Sequence, residues 1–309
     1  MARMNNDARL QCERLFLEGG PFYHLHTKPL EITLLFRDEE ELNLALNLIA
    51  LAVYATGVRL LAFAIMNNHL HFVLEGTEER CLAFYRDFQQ RLAKVYSRQK
   101  RGADVWAAEP GLTGISNLYQ LRDEIAYVIR NPFVDVQNVN LFSYRWCSGY
   151  LYFNGMMGFL PKGVSVSTQT IQVRRAFKHE RDADIDERIR MLDGVALPSC
   201  FTDYQRVMSF FENSRQFVHW VLKNVESQVA IAKRIGESIT LDDTEVWNIV
   251  YRLCRDTFKV PSPKELTNEA RAQLMRTLKY DYNASNAQIA RCTGVPVAAI
   301  DQMFPLNAR

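Results

Sequence analysis

Apolar residues follow two different spacings in the first half of the chain. In residues 39–56 they recur about every 3.6 residues and Gly57 follows, which predicts a helix that ends at a glycine. Residues 58–66 form a continuous apolar run, and residues 69–75 follow after two asparagines. This pattern predicts two strands that pair as an antiparallel hairpin.

The neighbouring segments extend this pattern. Residues 21–36 favour an extended chain, and residues 78–100 and 117–130 have helical periodicity, the second ending before Pro132 because proline disrupts a helix. Residues 102–116 favour a loop. The order strand, helix, strand, strand, helix, loop, helix predicts an α+β fold in which helices pack on an antiparallel sheet.

The composition changes after residue 154. Residues 155–170 are rich in glycine, serine and threonine, which favours a boundary, and most of the remaining chain has helical periodicity. The predicted regions are a first domain over residues 1–155, a linker over residues 156–200 and a helical domain over residues 201–309.

The last two predicted helices, near residues 284–304, have the spacing of a helix-turn-helix. Ala290 is small enough for close approach of the helices, and Gly294 can form the turn. Val295 and Ile300 are apolar and would hold the second helix. That helix carries little positive charge, and an ordinary helical hairpin is the alternative interpretation.

Composition narrows the class of protein. Of 309 residues, 48% are hydrophobic and 23% are charged, and no apolar run is long enough to cross a bilayer. The first residues lack the apolar stretch of a secretory signal and the six cysteines occur singly, so we expect a cytoplasmic protein without disulfides. A net charge of +2 neither indicates nor excludes a nucleic-acid partner.

Two His-X-His pairs lie in predicted strands and are candidates for metal binding. They are His24 with His26 and His69 with His71. Because side chains alternate along a strand, both imidazoles of a pair project from the same face and can chelate a divalent cation. A single pair is a weak signal, since partly buried histidines that bond to the backbone give the same pattern.

The segments around the second pair resemble a known family. Residues 61–75, LAFAIMNNHLHFVLE, resemble the His-hydrophobic-His (HUH) segment of single-tyrosine transposases, especially the REP-associated tyrosine transposases, with Asn67 where proline is usual. Residues 124–133, EIAYVIRNPF, resemble the helix that carries the family's nucleophilic tyrosine. Residues 142–150, FSYRWCSGY, resemble a third family segment, and the resemblance covers about residues 20–153.

The resemblance implies a fold, a site and a reaction. The fold would be the family's ferredoxin-like antiparallel sheet, with the first histidine pair in a structural role. Tyr127 would be the nucleophile, and Asn131, on the same helix face, would complete a Mg²⁺ or Mn²⁺ site with His69 and His71. The substrate would be single-stranded or hairpin DNA, cleaved and rejoined through a 5′-phosphotyrosine, and the protein would be a homodimer.

The predicted helix over residues 78–100 is basic towards its end and interleaves these charges with aromatic residues. Such a helix could follow a phosphate backbone, and a solvated helix face explains the same charges equally well. The candidate nucleic-acid contacts are Arg86, Arg91, Lys94, Arg98, Lys100 and Arg101.

The chain also departs from the family pattern. Residues 101–114 lack the family's loop sequence, and the helical region near residues 200–280 has no counterpart in minimal members. Two hypotheses therefore stand beside a transposase or nickase. One is a domesticated, catalytically silent DNA-binding or regulatory protein, and the other is a structural zinc site at His69 and His71. When bound to DNA, the protein would associate with the nucleoid.

Overall fold

A computed structural model of the protein describes residues 2–28, 34–135, 142–166, 187–223, 225–237 and 241–305. The chain forms two compact units, Met1–Asn224 and Val225–Arg309, each with its own buried apolar cluster. The first unit combines antiparallel sheets with helices, so the predicted α+β class is confirmed.

The first unit contains a four-stranded antiparallel sheet. Its strands are β1 (Phe22–Thr27), β2 (Arg59–Ile65), β3 (Leu70–Glu75) and β4 (Pro110–Ile115). Their spatial order is β2-β3-β1-β4, and β2 with β3 forms the predicted hairpin. In the pairing of β1 with β3, His26 lies opposite His71. Because side chains alternate, His24, His26 and His71 share one face of the sheet.

Helices cover both faces of this sheet. They are α1 (Ala2–Leu17), α2 (Glu39–Thr56), α3 (Glu78–Ser97), α4 (Gly102–Ala107) and α5 (Leu118–Asp135). As predicted, α2 ends at Gly57, which adopts the left-handed conformation with a φ of 64°. On one face, Phe84 of α3 packs against Phe72, with ring centroids 5.1 Å apart. On the opposite face, Tyr127 of α5 lies beside His71.

The prediction of a loop over residues 102–116 was wrong, because this segment forms α4 and β4. Gly111, Gly114 and a proline lower the local strand propensity, so no strand pattern is visible in the sequence. The strand forms because β1 offers an edge of backbone donors and acceptors, and β4 pairs with it from Pro110 to Ile115.

The predicted end of the helix before Pro132 was also wrong, because α5 continues to Asp135. Pro132 lacks an N–H donor, but its restricted φ is compatible with a helix and the residue is buried. The helix that contains this proline packs against β2 and β3.

The first unit continues well past residue 155. It includes a three-stranded sheet and three further helices, which are β5 (Val164–Ser165), β6 (Arg190–Leu192), β7 (Val195–Ala196), α6 (Pro198–Phe201), α7 (Tyr204–Ser209) and α8 (Ser214–Lys223). Phe210, Phe217 and Val221 join the same core as the main sheet. The predicted linker over residues 156–200 thus contains a small sheet, and its residues 167–186 lie outside the described part. The observed boundary follows Asn224 rather than residue 200.

The second unit is helical. Its helices are α9 (Val225–Ile235), α10 (Asp243–Leu253), α11 (Asn268–Tyr280), α12 (Asn286–Thr293) and α13 (Val297–Met303). Ser285 caps α12 together with Gln288, and Gly294 ends it in the left-handed conformation with a φ of 71°. Ile289 and Ile300 are buried between the last helices.

Two expectations about composition agree with the structure. All six cysteines lie in the described part of the chain and are free thiols. Among the described helices, none combines the length and the apolar character needed to span a bilayer.

Candidate functional site

The four residues predicted to form a site converge on one face of the main sheet. His69 precedes β3 and His71 lies within it, while Tyr127 and Asn131 lie one turn apart on α5. His69 Nε2 is 3.1 Å from Asn131 Oδ1, and Asn131 Nδ2 is 3.1 Å from His71 Nε2. The ring centroids of Tyr127 and His71 are 5.5 Å apart.

Local geometry explains this convergence. His69 and His71 are two residues apart on the extended chain, so both imidazoles point towards α5 and their ring centroids are 5.0 Å apart. Residues 127 and 131 are four apart on a helix and therefore share a face. Buried apolar residues such as Leu121 and Ile125 hold that helix against the sheet.

Both candidate histidine ligands are buried and neutral at neutral pH. Burial lowers the pKa of His69 to about 4, against a smaller opposing effect of its hydrogen bond to Asn131. Burial, with further effects of the neighbouring histidines, lowers the pKa of His71 well below its usual value. A neutral imidazole keeps one nitrogen lone pair, which is the form that binds a metal ion.

Amide oxygens face both ring nitrogens of His69. Nδ1 lies 2.8 Å from Oδ1 of Asn68, and Nε2 lies 3.1 Å from Oδ1 of Asn131. A neutral imidazole has a single N–H, so only one of these oxygens can accept from the ring and the other faces a nitrogen lone pair.

This donor set fits a divalent cation. Ligand nitrogens of His69 and His71 lie within 4.8 Å of each other, and the amide oxygen of Asn131 adjoins them. Two imidazole nitrogens with one amide oxygen form a mixed set that suits Mn²⁺ and tolerates Mg²⁺, with coordination positions to spare for phosphate oxygens. The pair of histidines could thus hold a metal ion.

The role of the first histidine pair differs from the sequence-based interpretation. A structural histidine was expected to bond to the backbone, but both ring nitrogens of His24 face side chains. Its Nδ1 lies 2.8 Å from Glu124 Oε2, and its Nε2 lies 3.2 Å from His71 Nδ1. His26 packs alongside His71, with ring centroids 6.5 Å apart. Glu124 was missed altogether, although its position three residues before Tyr127 on the same helix face is a usable signal.

The six predicted nucleic-acid contacts divide into two groups. Arg91 is bound to Asp87 at 2.6 Å, and Arg101 is bound to Glu41 at 2.7 Å with only 13% of its side chain exposed. The four exposed cations are Arg86, Lys94, Arg98 and Lys100.

Arg86 and Lys94 lie on α3, and Arg98 and Lys100 follow its last residue. This helix covers the sheet face opposite to α5. The end of α3 is nevertheless connected to the loop before His69. Arg101 donates to the carbonyl of Leu34, and the N–H of Phe36 donates to the carbonyl of Asn67. Residues 34–36 therefore connect the chain after the basic helix with the loop before the histidine pair.

Comparisons with known proteins add little to this geometry. No protein-family model and no curated protein matches the chain. A solved structure described as the REP-associated tyrosine transposase bound to a REP hairpin is similar over 46% of this chain and 84% of that one, at 12% identity and a TM-score of 0.34.

Proposed function

We propose that the first unit is a metal-dependent enzyme that cleaves and rejoins single-stranded or hairpin DNA, with Tyr127 as the nucleophile. His69, His71 and Asn131 would hold Mg²⁺ or Mn²⁺. The observation that carries the proposal is the meeting of two buried imidazoles and an amide side chain beside a phenol, on one face of one sheet.

The proposed chemistry follows from these groups. When bound, a hard divalent cation would withdraw charge from a scissile phosphate. Tyr127 would lose its phenolic proton to water, and its oxygen would attack phosphorus in line with the leaving group. The phosphorus–O3′ bond would break, O3′ would take up a proton, and the DNA would remain attached as a 5′-phosphotyrosine. Attack by a 3′-hydroxyl would reverse the step and rejoin the strand.

The proposed DNA contacts come from two places. On the first unit, Lys94, Arg98 and Lys100 are exposed near the end of α3 and would neutralise phosphates. Arg86 is exposed in an earlier turn of the same helix and would extend that surface. Arg101 would contribute indirectly, because its guanidinium already binds Glu41.

In the second unit, α12 and α13 with the turn at Gly294 are proposed to act as a helix-turn-helix. The compact packing of Ile289 and Ile300 supports this assignment. The sequence of α13, VAAIDQM, has no lysine or arginine, so contacts to base edges would have to come from Gln302 and from neighbouring residues.

A second candidate function is DNA binding without cleavage. It is favoured by one observation, which is that Tyr127 is only 4% exposed and is packed beside His24 and His71. A nucleophile needs access to phosphorus, so the enzyme hypothesis requires the phenol to become exposed when DNA binds.

The two functions can be separated with a labelled DNA hairpin and Mn²⁺. We expect a covalent protein–DNA adduct that survives denaturing electrophoresis and is lost in Tyr127→Phe. Tyr119→Phe is the matched control, because Tyr119 lies on the same helix and is half exposed. An adduct that persists in Tyr127→Phe would rule out this nucleophile, and tight binding without an adduct in the wild type would favour the silent DNA-binding protein. The resemblance also implies a homodimer, which sedimentation of the same samples would test.

A further inference from the structure

A chain of buried hydrogen bonds leads from the candidate metal site into the core. Glu124 Oε2 lies 2.8 Å from His24 Nδ1, and His24 Nε2 lies 3.2 Å from His71 Nδ1. All three side chains are fully buried, at 0% exposure. The chain crosses three elements, since Glu124 lies on α5, His24 on β1 and His71 on β3.

The direction of these hydrogen bonds is set at the carboxylate. An ionised Glu124 only accepts, so the Nδ1–H of His24 would donate a hydrogen bond to it. His24 Nε2 is then an acceptor, and the donor facing it is the Nδ1–H of His71. This leaves the lone pair of His71 on Nε2, which points at Asn131.

We propose that Glu124 and His24 are positioning residues that hold His71 in its Nδ1–H tautomer, so that His71 Nε2 is presented to the metal ion. The inference rests on the proposed function and extends it by naming the residues that bond to a metal ligand from the core. Outer partners of this kind fix the tautomer and the ring orientation of a histidine ligand.

The placement of Glu124 supports this role over a purely structural one. A buried carboxylate is costly in an apolar core unless it is fully bonded. Glu124, Tyr127 and Asn131 lie at positions i, i+3 and i+7 of α5 and therefore share one helix face. The same helix thus supplies the group that begins the hydrogen-bond chain and the amide that meets its far end.

His69 has an outer partner of its own. Its Nδ1 bonds to Asn68, the residue before it, at 2.8 Å. The two candidate ligands thus have independent outer partners, Asn68 at the surface turn and His24 in the core. We therefore expect a change at His24 to alter His71 and to leave His69 in its original tautomer.

The tautomers can be read directly by long-range ¹H–¹⁵N correlation spectra of the histidine rings in the full-length, metal-free protein. We expect His71 as the Nδ1–H form in the wild type. In His24→Phe, which retains most of the ring volume, we expect an Nε2–H population at His71. In Glu124→Leu, which fills the site with an apolar side chain, we expect the same change. Leu25→Val is the matched control, because Leu25 lies on the same strand and points to the opposite face.

The second measurement is the affinity for Mn²⁺. Binding is detected as loss of the electron paramagnetic resonance signal of the free ion. Loss of an outer partner of a metal ligand typically weakens binding about 10- to 100-fold, and we expect a weakening in this range for His24→Phe and for Glu124→Leu. The Leu25→Val protein should bind Mn²⁺ like the wild type.

The outcomes separate this inference from the proposed function. An Nε2–H tautomer of His71 in the wild type would overturn the positioning role, as would unchanged tautomers and Mn²⁺ affinity in both variants. A wild-type protein that holds His71 as Nδ1–H and binds no Mn²⁺ or Mg²⁺ would support the hydrogen-bond relay and overturn the metal-dependent function.

Discussion

A charged cluster at the start of α2 holds residues 34–37, which bond to the loop before His69, and loss of this cluster should be measurable. Glu41 accepts hydrogen bonds from Arg37 at 2.6 Å, from Arg101 at 2.7 Å and from the Tyr96 hydroxyl at 3.0 Å. Arg101 also donates to the carbonyl of Leu34. The perturbation we consider is Glu41→Gln, which keeps the shape of the side chain and removes its charge.

The size of the effect follows from the shifted pKa of the carboxyl group. Burial alone would raise the pKa of Glu41, but the hydrogen bonds from Arg37, Arg101 and Tyr96 lower it from 4.5 to about 2. One pKa unit corresponds to about 1.4 kcal/mol, so this difference amounts to about 3 kcal/mol of folding free energy. Because Arg37 is 50% exposed and water screens its charge, we expect about 2 kcal/mol.

The sign of the pH dependence is also fixed. The pKa of Glu41 is lower in the folded than in the unfolded state, so its stabilisation is complete above about pH 4.5 and is lost as the pH falls towards 2. The Glu41→Gln protein should therefore be about 2 kcal/mol less stable than the wild type at pH 7, and the two should converge near pH 2.

Urea-dependent hydrogen exchange of peptides from α2 and β3 would report on the first unit separately from the second. Glu40→Gln is the matched control, since Glu40 is exposed on the same helical turn, and it should leave the stability nearly unchanged. A difference between wild type and Glu41→Gln that stays constant from pH 7 to pH 3 would refute the electrostatic explanation.

Three further changes test the site and its surroundings. His71→Ala should abolish Mn²⁺ binding and adduct formation while the circular dichroism spectrum stays native, and loss of folded protein would instead indicate a structural histidine. Arg98→Ala should weaken single-stranded DNA binding and reduce its salt dependence. Arg101→Ala should chiefly lower the thermal unfolding midpoint, because Arg101 is bound to Glu41 inside the fold. Gly111→Ala should destabilise the first unit by about 1 to 3 kcal/mol in urea unfolding, because the new Cβ would lie 2.5 Å from a ring carbon of the buried His26. Gly114→Ala is the control and should be tolerated, since the nearest contact of its Cβ would be at 3.8 Å.

The parts of the fold that could be predicted depend on short-range patterns. The hairpin of β2 and β3 follows from an apolar run, two asparagines and a second run, all within 18 residues of the chain. The convergence of His69 with His71 and of Tyr127 with Asn131 follows from the periods of a strand and a helix. That the two pairs face each other came from the family resemblance, because no periodicity indicates which helix packs on which strand.

The parts that were missed depend on contacts between distant segments. Strand β4 is specified by the open edge of β1, about 90 residues earlier, and its own sequence contains two glycines. The sequence places Glu124 on the same helix face as Tyr127, but only the packing of α5 on the sheet buries it against His24. The helices α7 and α8 join the core of the first unit through aromatic contacts such as Phe153 with Phe217, which have no local signature.

The hydrogen bonds of α5 also limit how the site can open. Glu124 and Asn131 bond to groups on the sheet at 2.8 and 3.1 Å, and one residue of helix corresponds to a rise of about 1.5 Å. A slide of α5 by one residue would therefore break contacts at both ends of the site at once, and with them the arrangement of the histidines. Because Tyr127 lies between these two anchors, we expect its phenol to reach DNA by a side-chain rotation or by local opening, and not by a shift of the whole helix. Cleavage and metal binding would then be separable, since α5 can keep the ligands in place while Tyr127 alone moves.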